Sequence, residues 1–303
     1  MDIVKADHNV NEGLLNTPGN LKRTKQLFSF FIFSVILVFS IPGPTYCKQL
    51  PLWEAGFGGA FLYMPDYRGS DESRAYALPF PYVTYRGEIF KIDRESITGL
   101  LFKTNRMKLV FSPYGSVPVD SSKNKARQGM PNLDPTFEIG PSLEIIMFED
   151  KERGYNVTFN LPVRAVFPTD FLHLIHQGWT FSPRLNIDWF ERGPRRGWNF
   201  GMAIGSVFGD QTFHDYYYRV DKTYATADRP AYSPQGGYSG LQLSASLGKY
   251  FNKLWMGLFA RADFLNDSVF SDSPLVKTKT SILAGFAISY FFWESKTLVE
   301  SEK

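Results

Sequence analysis

The sequence has one cysteine, Cys47, and four histidines in 303 residues. The cysteine lies at the end of a predicted export signal, so the mature chain is expected to have none, which excludes disulfide bonds and thiolate metal sites. A strong excess of one charge is also absent, because residues 48–303 include 29 basic and 27 acidic residues. This balance argues against a nucleic-acid partner. No cofactor is expected.

Long hydrophobic runs are absent except near the N terminus. Three basic residues between positions 22 and 25 precede an apolar run from Leu27 to Ile41. This run has about 15 residues, whereas a membrane-spanning helix needs about 18 or more. Residues 1–47 are therefore predicted to be a signal peptide with an extended leader, cleaved after Cys47. A signal anchor is the alternative, and the true start codon could lie nearer Lys22.

The mature sequence also lacks any convincing amphipathic helix. Its apolar and polar residues instead alternate with a period of two. From Tyr155 to Phe167 every second residue is apolar, and the residues between them are mostly polar. This alternation is typical of a strand. We count twelve candidate strands, with ten as the alternative: 52–63, 75–85, 88–94, 97–103, 107–117, 136–149, 154–167, 178–190, 198–209, 238–251, 253–264 and 279–293.

Many of these strands are 9 to 13 residues long, whereas soluble sheets average about five or six, and crossing a bilayer at a tilt requires about 9 to 11. The predicted fold is all-β, a transmembrane antiparallel β-barrel over residues 48–293, followed by a polar tail, 294–303. A soluble barrel or sandwich accommodates the same alternation. In a membrane barrel the polar row lines the lumen. The predicted lumen residues carry both charges: Glu138, Glu144, Arg164, Arg184, Asp188, Arg261 and Asp263.

Connection lengths favour the membrane barrel. From the fifth strand onward long and short connections alternate, with the longest from Asp210 to Gly237 and a tight turn at Asn252. Short periplasmic turns alternating with long outer loops are typical of outer-membrane barrels. Aromatic residues at strand ends and the export signal agree. The sequence therefore predicts a protein of the outer membrane of a Gram-negative bacterium, in contact with its lipid.

The first predicted outer loop has the sequence PDYRGSDES, residues 65–73. It lacks the second glycine that a Gly-x-Ser-x-Gly nucleophile motif requires. Glycine followed by short polar residues is what a tight turn uses, so we interpret Tyr67, Arg68, Gly69, Ser70 and Asp71 as a structured loop or interaction segment. A further hypothesis is that its charged residues pair with lumen charges such as Glu138 or Arg184, which would fix the loop.

The histidines offer two further hypotheses. His173 and His176 have a spacing usable for a metal, but no third ligand is visible nearby, so no metal site is predicted. His214 and Asp215 could belong to a hydrolase at the barrel rim, where an acid fixes the imidazole tautomer. Adjacent residues on a strand point apart, however, which makes this the weakest hypothesis.

Two segments are candidates for contact with partners. Tyr216, Tyr217 and Tyr218 lie in the longest outer loop, and tyrosine provides large contact area with few rotatable bonds. The same segment could instead fold inward and plug the lumen. The basic turn Arg192-Gly193-Pro194-Arg195-Arg196 would face the periplasm and could bind an acidic partner.

Several blocks together resemble the MipA/OmpV family of outer-membrane proteins. They run in order along the mature chain: Tyr67 to Glu72, Leu78 to Tyr82 with Tyr85 to Gly87, Tyr232 to Tyr238, Asp272 to Val276, and the closing strand from Gly285 to Phe292. The resemblance implies an outer-membrane barrel and, for some members, a scaffolding or surface-interaction role. It implies no agreed catalytic residues. The polar tail departs from barrels that end on an aromatic residue.

The resulting functional hypothesis is a non-enzymatic outer-membrane barrel that acts as a scaffold, with a periplasmic murein hydrolase or synthase as the candidate partner. The alternative is a narrow channel or solute-uptake pore, because lumen residues of both signs suit either a closed ion-pair network or a small polar passage. A small-molecule permeant is expected only in that case. A rim hydrolase is the third class.

Overall fold

The computed structural model describes residues 49–92, 97–169, 175–191 and 197–300. The predicted signal peptide lies outside these ranges. The strands are β1 Gln49–Pro51, β2 Trp53–Pro65, β3 Ser73–Arg86, β4 Phe90–Ile92, β5 Ile97–Lys103, β6 Met107–Gly115, β7 Thr136–Asp150, β8 Tyr155–Pro168, β9 Trp179–Phe181, β10 Arg184–Phe190, β11 Gly197–Gly209, β12 Gly237–Phe251, β13 Leu254–Phe264, β14 Thr280–Glu294 and β15 Leu298–Glu300. The helices are α1 Gln211–Tyr218 and the 3₁₀ turns η1 Ser121–Lys123, η2 Lys125–Arg127 and η3 Lys222–Tyr224. Among the described residues, no helix is both long and apolar enough to cross a membrane.

Strands β2 to β14 form one antiparallel sheet that closes on itself. Each strand pairs with its neighbours in sequence, and β14 returns to pair with β2. Both β9 and β10 pair with β8 and with β11, so they are two parts of one strand interrupted at Ser182 and Pro183. Counted over the described residues, the barrel has twelve strands, which confirms the predicted fold class.

The predicted strand ends lie within two residues of the observed ends throughout. Three features differ. The predicted strand 178–190 is interrupted, the predicted tail 294–303 contains β15, and the eight-residue helix α1 was not predicted. The tail strand β15 pairs with β1 in a separate two-stranded ribbon, in which Leu50 is buried. A helix of only two turns gives too few apolar positions for a periodic pattern to be visible.

Alternate residues of each barrel strand point to opposite faces of the sheet. We call the side chains that point into the lumen the inner row and those that point outward the outer row. Polar residues that are buried despite lying in strands share the inner row, including Glu54, Thr84, Asn160, Asn199 and Ser289. The outer row carries large exposed apolar residues: Phe57, Phe61, Ile187, Met202, Ile204, Leu243, Met256, Leu258, Ile282, Phe286 and Ile288. An apolar exterior around a polar interior is the arrangement that a barrel in lipid requires.

The two ends of the barrel differ in their connections. At one end are short turns, such as the two residues Asn252 and Lys253 between β12 and β13, where Asn252 has a positive φ of 57°. A two-residue hairpin turn commonly needs positive φ, and asparagine tolerates it. The β1–β15 ribbon lies at this short-turn end, because it adjoins the start of β2 and the end of β14. The opposite end carries the long loops.

Candidate functional site: the capped lumen

The long loops pack together over one end of the barrel. We call this group the cap and define it as residues 66–72, 116–135, 210–236 and 265–279. Its buried apolar core draws on all four segments and consists of Tyr67, Val119, Ala126, Leu133, Tyr218, Val220, Leu265, Phe270 and Leu275. A buried core of this kind stabilises a defined loop arrangement, since each apolar side chain removed from water contributes about 1.5 to 3 kcal/mol.

The PDYRGSDES loop lies at the centre of the cap. The Tyr67 hydroxyl donates to the Leu275 carbonyl at 2.8 Å, and Tyr67 is only 5% exposed. The Gly69 amide donates to the Ser281 hydroxyl at 2.8 Å, and the Gly69 carbonyl accepts from the Lys277 amide at 2.7 Å. Burial raises the pKa of Tyr67 above its ordinary value. The loop is therefore bonded to the segment between β13 and β14.

A side chain at position 69 would strain the loop. Its φ of 93° lies in the left-handed region, and a Cβ there would come within 3.1 Å of Val276 and 3.2 Å of Leu265. Only glycine occupies such a backbone region without strain. The glycine of the PDYRGSDES loop thus has a structural reason in the packing of the cap.

Asp66 joins the first loop to the cap segment 116–135. Its carboxylate accepts from Arg74 Nε at 2.6 Å and from the Asn124 side chain at 2.8 Å. Asn124 also donates to the Ser70 hydroxyl at 3.1 Å, and the Lys125 amide donates to Glu72 at 3.3 Å. These bonds hold η1 and η2 against the beginning of β3.

A buried carboxylate on β13 connects the cap to the lumen. Asp263 is 1% exposed and lies 3.0 Å from Arg68 Nε and 3.0 Å from Arg261 Nε. The Gln242 amide donates to it at 2.7 Å, and Arg261 also donates to the Tyr114 hydroxyl at 2.9 Å. Arg68 therefore pairs with a lumen charge, as hypothesised, but its partner is Asp263 and not Glu138. A carboxylate between two guanidinium groups links β12, β13, β6 and the first loop.

The other predicted lumen residues all lie on the inner row. Glu138 is buried and accepts from the Thr180 hydroxyl at 3.1 Å, close to Arg164, whose guanidinium lies 5.8 Å from the Tyr114 ring centre. Register places Glu144 opposite Asn160 and Lys108. The remaining two are Arg184, opposite Asn160, and Asp188, opposite Asn156.

The three consecutive tyrosines lie on α1, in the cap. Tyr218 is 3% exposed, its ring stacks on Phe270 at a centroid distance of 3.7 Å, and its hydroxyl donates to the Arg68 carbonyl at 2.9 Å. The Tyr217 carbonyl accepts from Arg127 at 3.0 Å, and the Tyr216 hydroxyl donates to the Asp134 carbonyl at 3.0 Å. Burial raises the pKa of all three hydroxyls. Tyr218 is therefore a core residue of the cap, whereas Tyr216 and Tyr217 are half-buried.

His214 and Asp215 bond to different partners. The His214 ring is fully buried, with Nδ1 2.6 Å from the Gln235 carbonyl and Nε2 2.6 Å from the Ser239 hydroxyl. A carbonyl only accepts, so Nδ1 carries the proton and the neutral ring accepts from Ser239. Asp215 pairs with Arg219 at 3.2 Å. The adjacent acid that a rim hydrolase would need is thus directed elsewhere, and the His214–Ser239 pair is shielded from substrate.

Acid should weaken the cap through His214. Burial lowers the pKa of this histidine below its ordinary value, assisted by Arg68 and opposed by the Gln235 carbonyl, Asp210 and Asp215. Below about pH 6.5 the unfolded chain binds a proton that the folded chain does not, so stability is fully present above that pH and falls below it. We expect a lower urea midpoint at about pH 5 than at about pH 7.5. His214→Gln should reduce this difference.

The exposed His176 provides the matched control for this measurement. It lies outside the cap core, with ring contacts to Phe167 and Trp179. His176→Gln should keep the wild-type pH dependence. An equal pH dependence of the urea midpoint in wild type and His214→Gln would show that His214 does not cause the acid sensitivity.

The remaining candidates are not gathered into a site. His173 and the basic turn 192–196 lie outside the described residues. Within the described ranges, no cluster of three or more histidine, cysteine, aspartate or glutamate residues could hold a metal ion.

A comparison with models of known protein families identifies the family of the chain. The family model described as "MltA-interacting protein MipA" matches residues 57–292. The chain belongs to the MipA family. The match extends from the first barrel strand to the last, and the family is of a non-enzymatic kind of outer-membrane protein. The resemblance seen in the sequence blocks is thereby confirmed.

Three solved structures are similar to the chain in fold. A bacterial polysaccharide outer membrane secretin is 9% identical, with a TM-score of 0.38 and coverage of 79% of this chain and 99% of that chain. A Pseudomonas aeruginosa FadL homologue is 9% identical, with a TM-score of 0.25 and coverage of 81% and 91%. OmpT of Vibrio cholerae is 9% identical, with a TM-score of 0.21 and coverage of 82% and 100%. A search of curated proteins finds no match.

Family and fold together place the chain in the outer membrane, as predicted. Long loops of such barrels lie outside the cell and short turns face the periplasm. The cap is therefore extracellular, and the β1–β15 ribbon lies at the periplasmic end.

Sequence reasoning missed several residues that build the site. Asn124, Arg127 and Ser239 form buried bonds within the cap, and Tyr82, Tyr250 and Phe291 form a second buried cluster inside the barrel. The inner-row position of Tyr82 and Tyr250 was readable from strand alternation. The cap residues lie in irregular segments, where no periodicity signals burial.

Proposed function

We propose that the chain is a non-enzymatic outer-membrane scaffold that holds a murein hydrolase or synthase at its periplasmic end. The observation that carries this proposal is the extracellular cap, whose buried core draws on all four of its segments. A diffusion pore needs a continuous water path, which a packed cap opposes. A closed barrel is suited instead to presenting a surface.

The interior beneath the cap adds to this argument. The Arg68–Asp263–Arg261 group crosses the upper lumen, and the aromatic cluster of Tyr82, Tyr250 and Phe291 occupies its lower part. Near the periplasmic end Arg86 forms an ion pair with the buried Glu54. Charges paired within the protein are not free to bind a passing solute.

The family description supports the partner class. It names a protein that interacts with MltA, and a murein enzyme would meet this barrel from the periplasm. There the ribbon strand β15 has an exposed apolar residue, Leu298. A partner at this end could contact Leu298 together with the backbone edge of the ribbon.

The test is co-purification of the folded, detergent-solubilised chain with purified periplasmic murein hydrolases and synthases. We expect retention of one of these enzymes, weakened by Leu298→Glu and unchanged by Lys222→Glu, an exposed cap residue. Retention of none of them would contradict the proposal. In planar bilayers the same preparation should be electrically silent, and steady conductance would favour the narrow channel instead.

A further inference from the structure

The outer row of the barrel contains a single lysine. Lys249 on β12 lies opposite Trp198 of β11 and Met256 of β13. The next residue, Tyr250, belongs to the buried aromatic cluster inside the barrel, so Lys249 points outward. Counted over the described parts of β2 to β14, no other lysine or arginine lies on the outer row. A cation on the lipid-facing surface needs an explanation, because it is costly in hydrocarbon.

The position of Lys249 along its strand places it at the boundary of the membrane. It lies two residues before the end of β12 at Phe251, which is about 7 Å along the strand. Aromatic residues of the outer row surround the same end of the barrel: Trp53, Tyr155, Trp189, Trp198, Tyr290 and Trp293. Such girdles lie at the level of the lipid headgroups, where a lysine costs much less than at the bilayer midplane. Because this end is periplasmic, the headgroups belong to the periplasmic leaflet.

Two aromatic rings hold the ammonium group of Lys249 in place. Its Nζ lies 4.3 Å from the centre of the Trp198 ring and 5.0 Å from the centre of the Phe251 ring. A cation over an aromatic face is attracted by the quadrupole of the ring, and more strongly where water is removed. The rings fix the position of the charge, but they provide no oxygen that could accept from its three N–H groups.

The protein itself does not neutralise this charge. Among the residues that the structure describes, no carboxylate forms an ion pair with Lys249. The Glu191 carboxylate, at the same end of the barrel, accepts from the Trp198 amide at 2.9 Å. Residues 192–196, which connect β10 to β11, include three arginines and no acidic residue in the sequence. An anion that meets Lys249 is therefore expected to come from outside the chain.

We propose that Lys249, Trp198 and Phe251 form a binding site for the headgroup phosphate of a phospholipid in the periplasmic leaflet. The phosphate oxygens accept from the ammonium group on the side that the rings leave open, and such charge-assisted bonds are stronger than neutral ones. The acyl chains of the same lipid lie along the apolar outer row toward the middle of the membrane, where Leu247 and Met256 are exposed. This site does not depend on the scaffold role proposed above.

Other anions fit this site less well. A free phosphate ion has no apolar part to contact Leu247 or Met256, and an acidic peptide from the periplasm would have to displace lipid from the outer row. Among phospholipids, one with an anionic headgroup should bind best, because it brings no ammonium group of its own to compete with Lys249. A single lysine close to an anionic lipid surface strengthens binding about fivefold.

The test is native mass spectrometry of the chain from residue 48 to residue 303, refolded in detergent micelles and titrated with phosphatidylglycerol. Diacylglycerol with the same acyl chains is the comparison without phosphate. We expect Lys249→Gln to lower the association constant for phosphatidylglycerol about fivefold and Lys249→Arg to keep it. Lys151→Gln removes the same charge from an exposed turn at the same end of the barrel, and it should leave the association constant unchanged. Heat-dependent gel migration confirms folding of each variant.

A further variant tests the rings. Trp198→Leu removes one ring without changing the charge and should also weaken phosphatidylglycerol binding, which attraction by charge alone does not predict; Phe251→Leu makes the same change to the second ring should Trp198→Leu fail to fold. Equal association constants in wild type and Lys249→Gln would overturn the proposal, as would equal losses in Lys249→Gln and Lys151→Gln. So would diacylglycerol that binds as tightly as phosphatidylglycerol, or displacement of the lipid by inorganic phosphate, which would make the ligand a free anion.

Discussion

Asp263→Ala is expected to lower the free energy of unfolding by about 3 to 5 kcal/mol, because removing one partner of a buried ion pair leaves the other charge uncompensated. Asp263 lies between Arg68 and Arg261, and both guanidinium groups are largely buried. The variant leaves two cations close together with no carboxylate between them. Urea unfolding in lipid vesicles, followed by tryptophan fluorescence, measures the change.

The neighbouring loop offers a matched control for this prediction. Asp267 is exposed and lies four positions further along the chain. Asp267→Ala should change stability by no more than about 0.5 kcal/mol, as is usual for surface substitutions. Equal effects of the two variants would show that the Asp263 ion pairs do not support the fold.

A double variant separates charge pairing from lost packing. Arg68→Ala removes one cation and the bond to the Ser239 carbonyl at 2.7 Å. If the two side chains are coupled, Arg68→Ala combined with Asp263→Ala will destabilise less than the sum of the two single changes. Strict additivity would contradict the pairing.

Tyr218→Ala is expected to destabilise the cap by about 3 to 5 kcal/mol, the usual cost of truncating a buried aromatic residue. Tyr218 stacks on Phe270, and its carbonyl accepts from the Ser273 hydroxyl at 2.8 Å. The barrel ladder does not depend on these contacts, so the variant should still migrate as a folded barrel. Its cap segments should be cleaved by protease far faster than those of wild type.

The conservative variant Tyr218→Phe isolates the hydroxyl. It keeps the stacked ring and removes only the bond to the Arg68 carbonyl, which is expected to cost about 1 kcal/mol. Cleavage rates should therefore rank wild type, Tyr218→Phe, Tyr218→Ala. If Tyr218→Ala resisted protease as wild type does, the tyrosine would not be a core residue of the cap.

These two predictions concern different levels of the same structure. Asp263 belongs to a barrel strand, and its loss should affect global unfolding. Tyr218 belongs to a loop helix, and its loss should affect local opening, which proteins sample independently of global unfolding. If wild type is silent in planar bilayers, conductance in Tyr218→Ala would show that the cap closes the barrel.

The predicted strands were accurate because a barrel in lipid imposes a strict rule on sequence. Every second residue must suit hydrocarbon and every other one the lumen, so the alternation from Tyr155 to Phe167 predicted the strand, and the export signal and connection lengths then predicted which row faces lipid. The inner-row location of Arg164, Arg261 and Asp263 follows from the same rule. Short turns, such as that at Asn252, indicated that strands adjacent in sequence are also neighbours in the sheet.

The cap could not be predicted in this way. Its segments are irregular, and whether Tyr218 faces outward or inward depends on Phe270, which lies 52 positions away in sequence. The partner of Arg68 was likewise unpredictable, because several acidic residues share the inner row and only the barrel's curvature brings Asp263 beside the first loop.

By itself the sequence determined a transmembrane barrel of ten or twelve strands, its lipid-facing and lumen-facing rows and its resemblance to the family, since period-two alternation and motif order are local properties of the chain. Only the tertiary structure decided that PDYRGSDES is the centre of a packed cap, that His214 bonds to Ser239, and that Arg68 pairs with Asp263. Each of these depends on contacts between segments far apart in sequence, and no local pattern specifies which of the possible partners will meet.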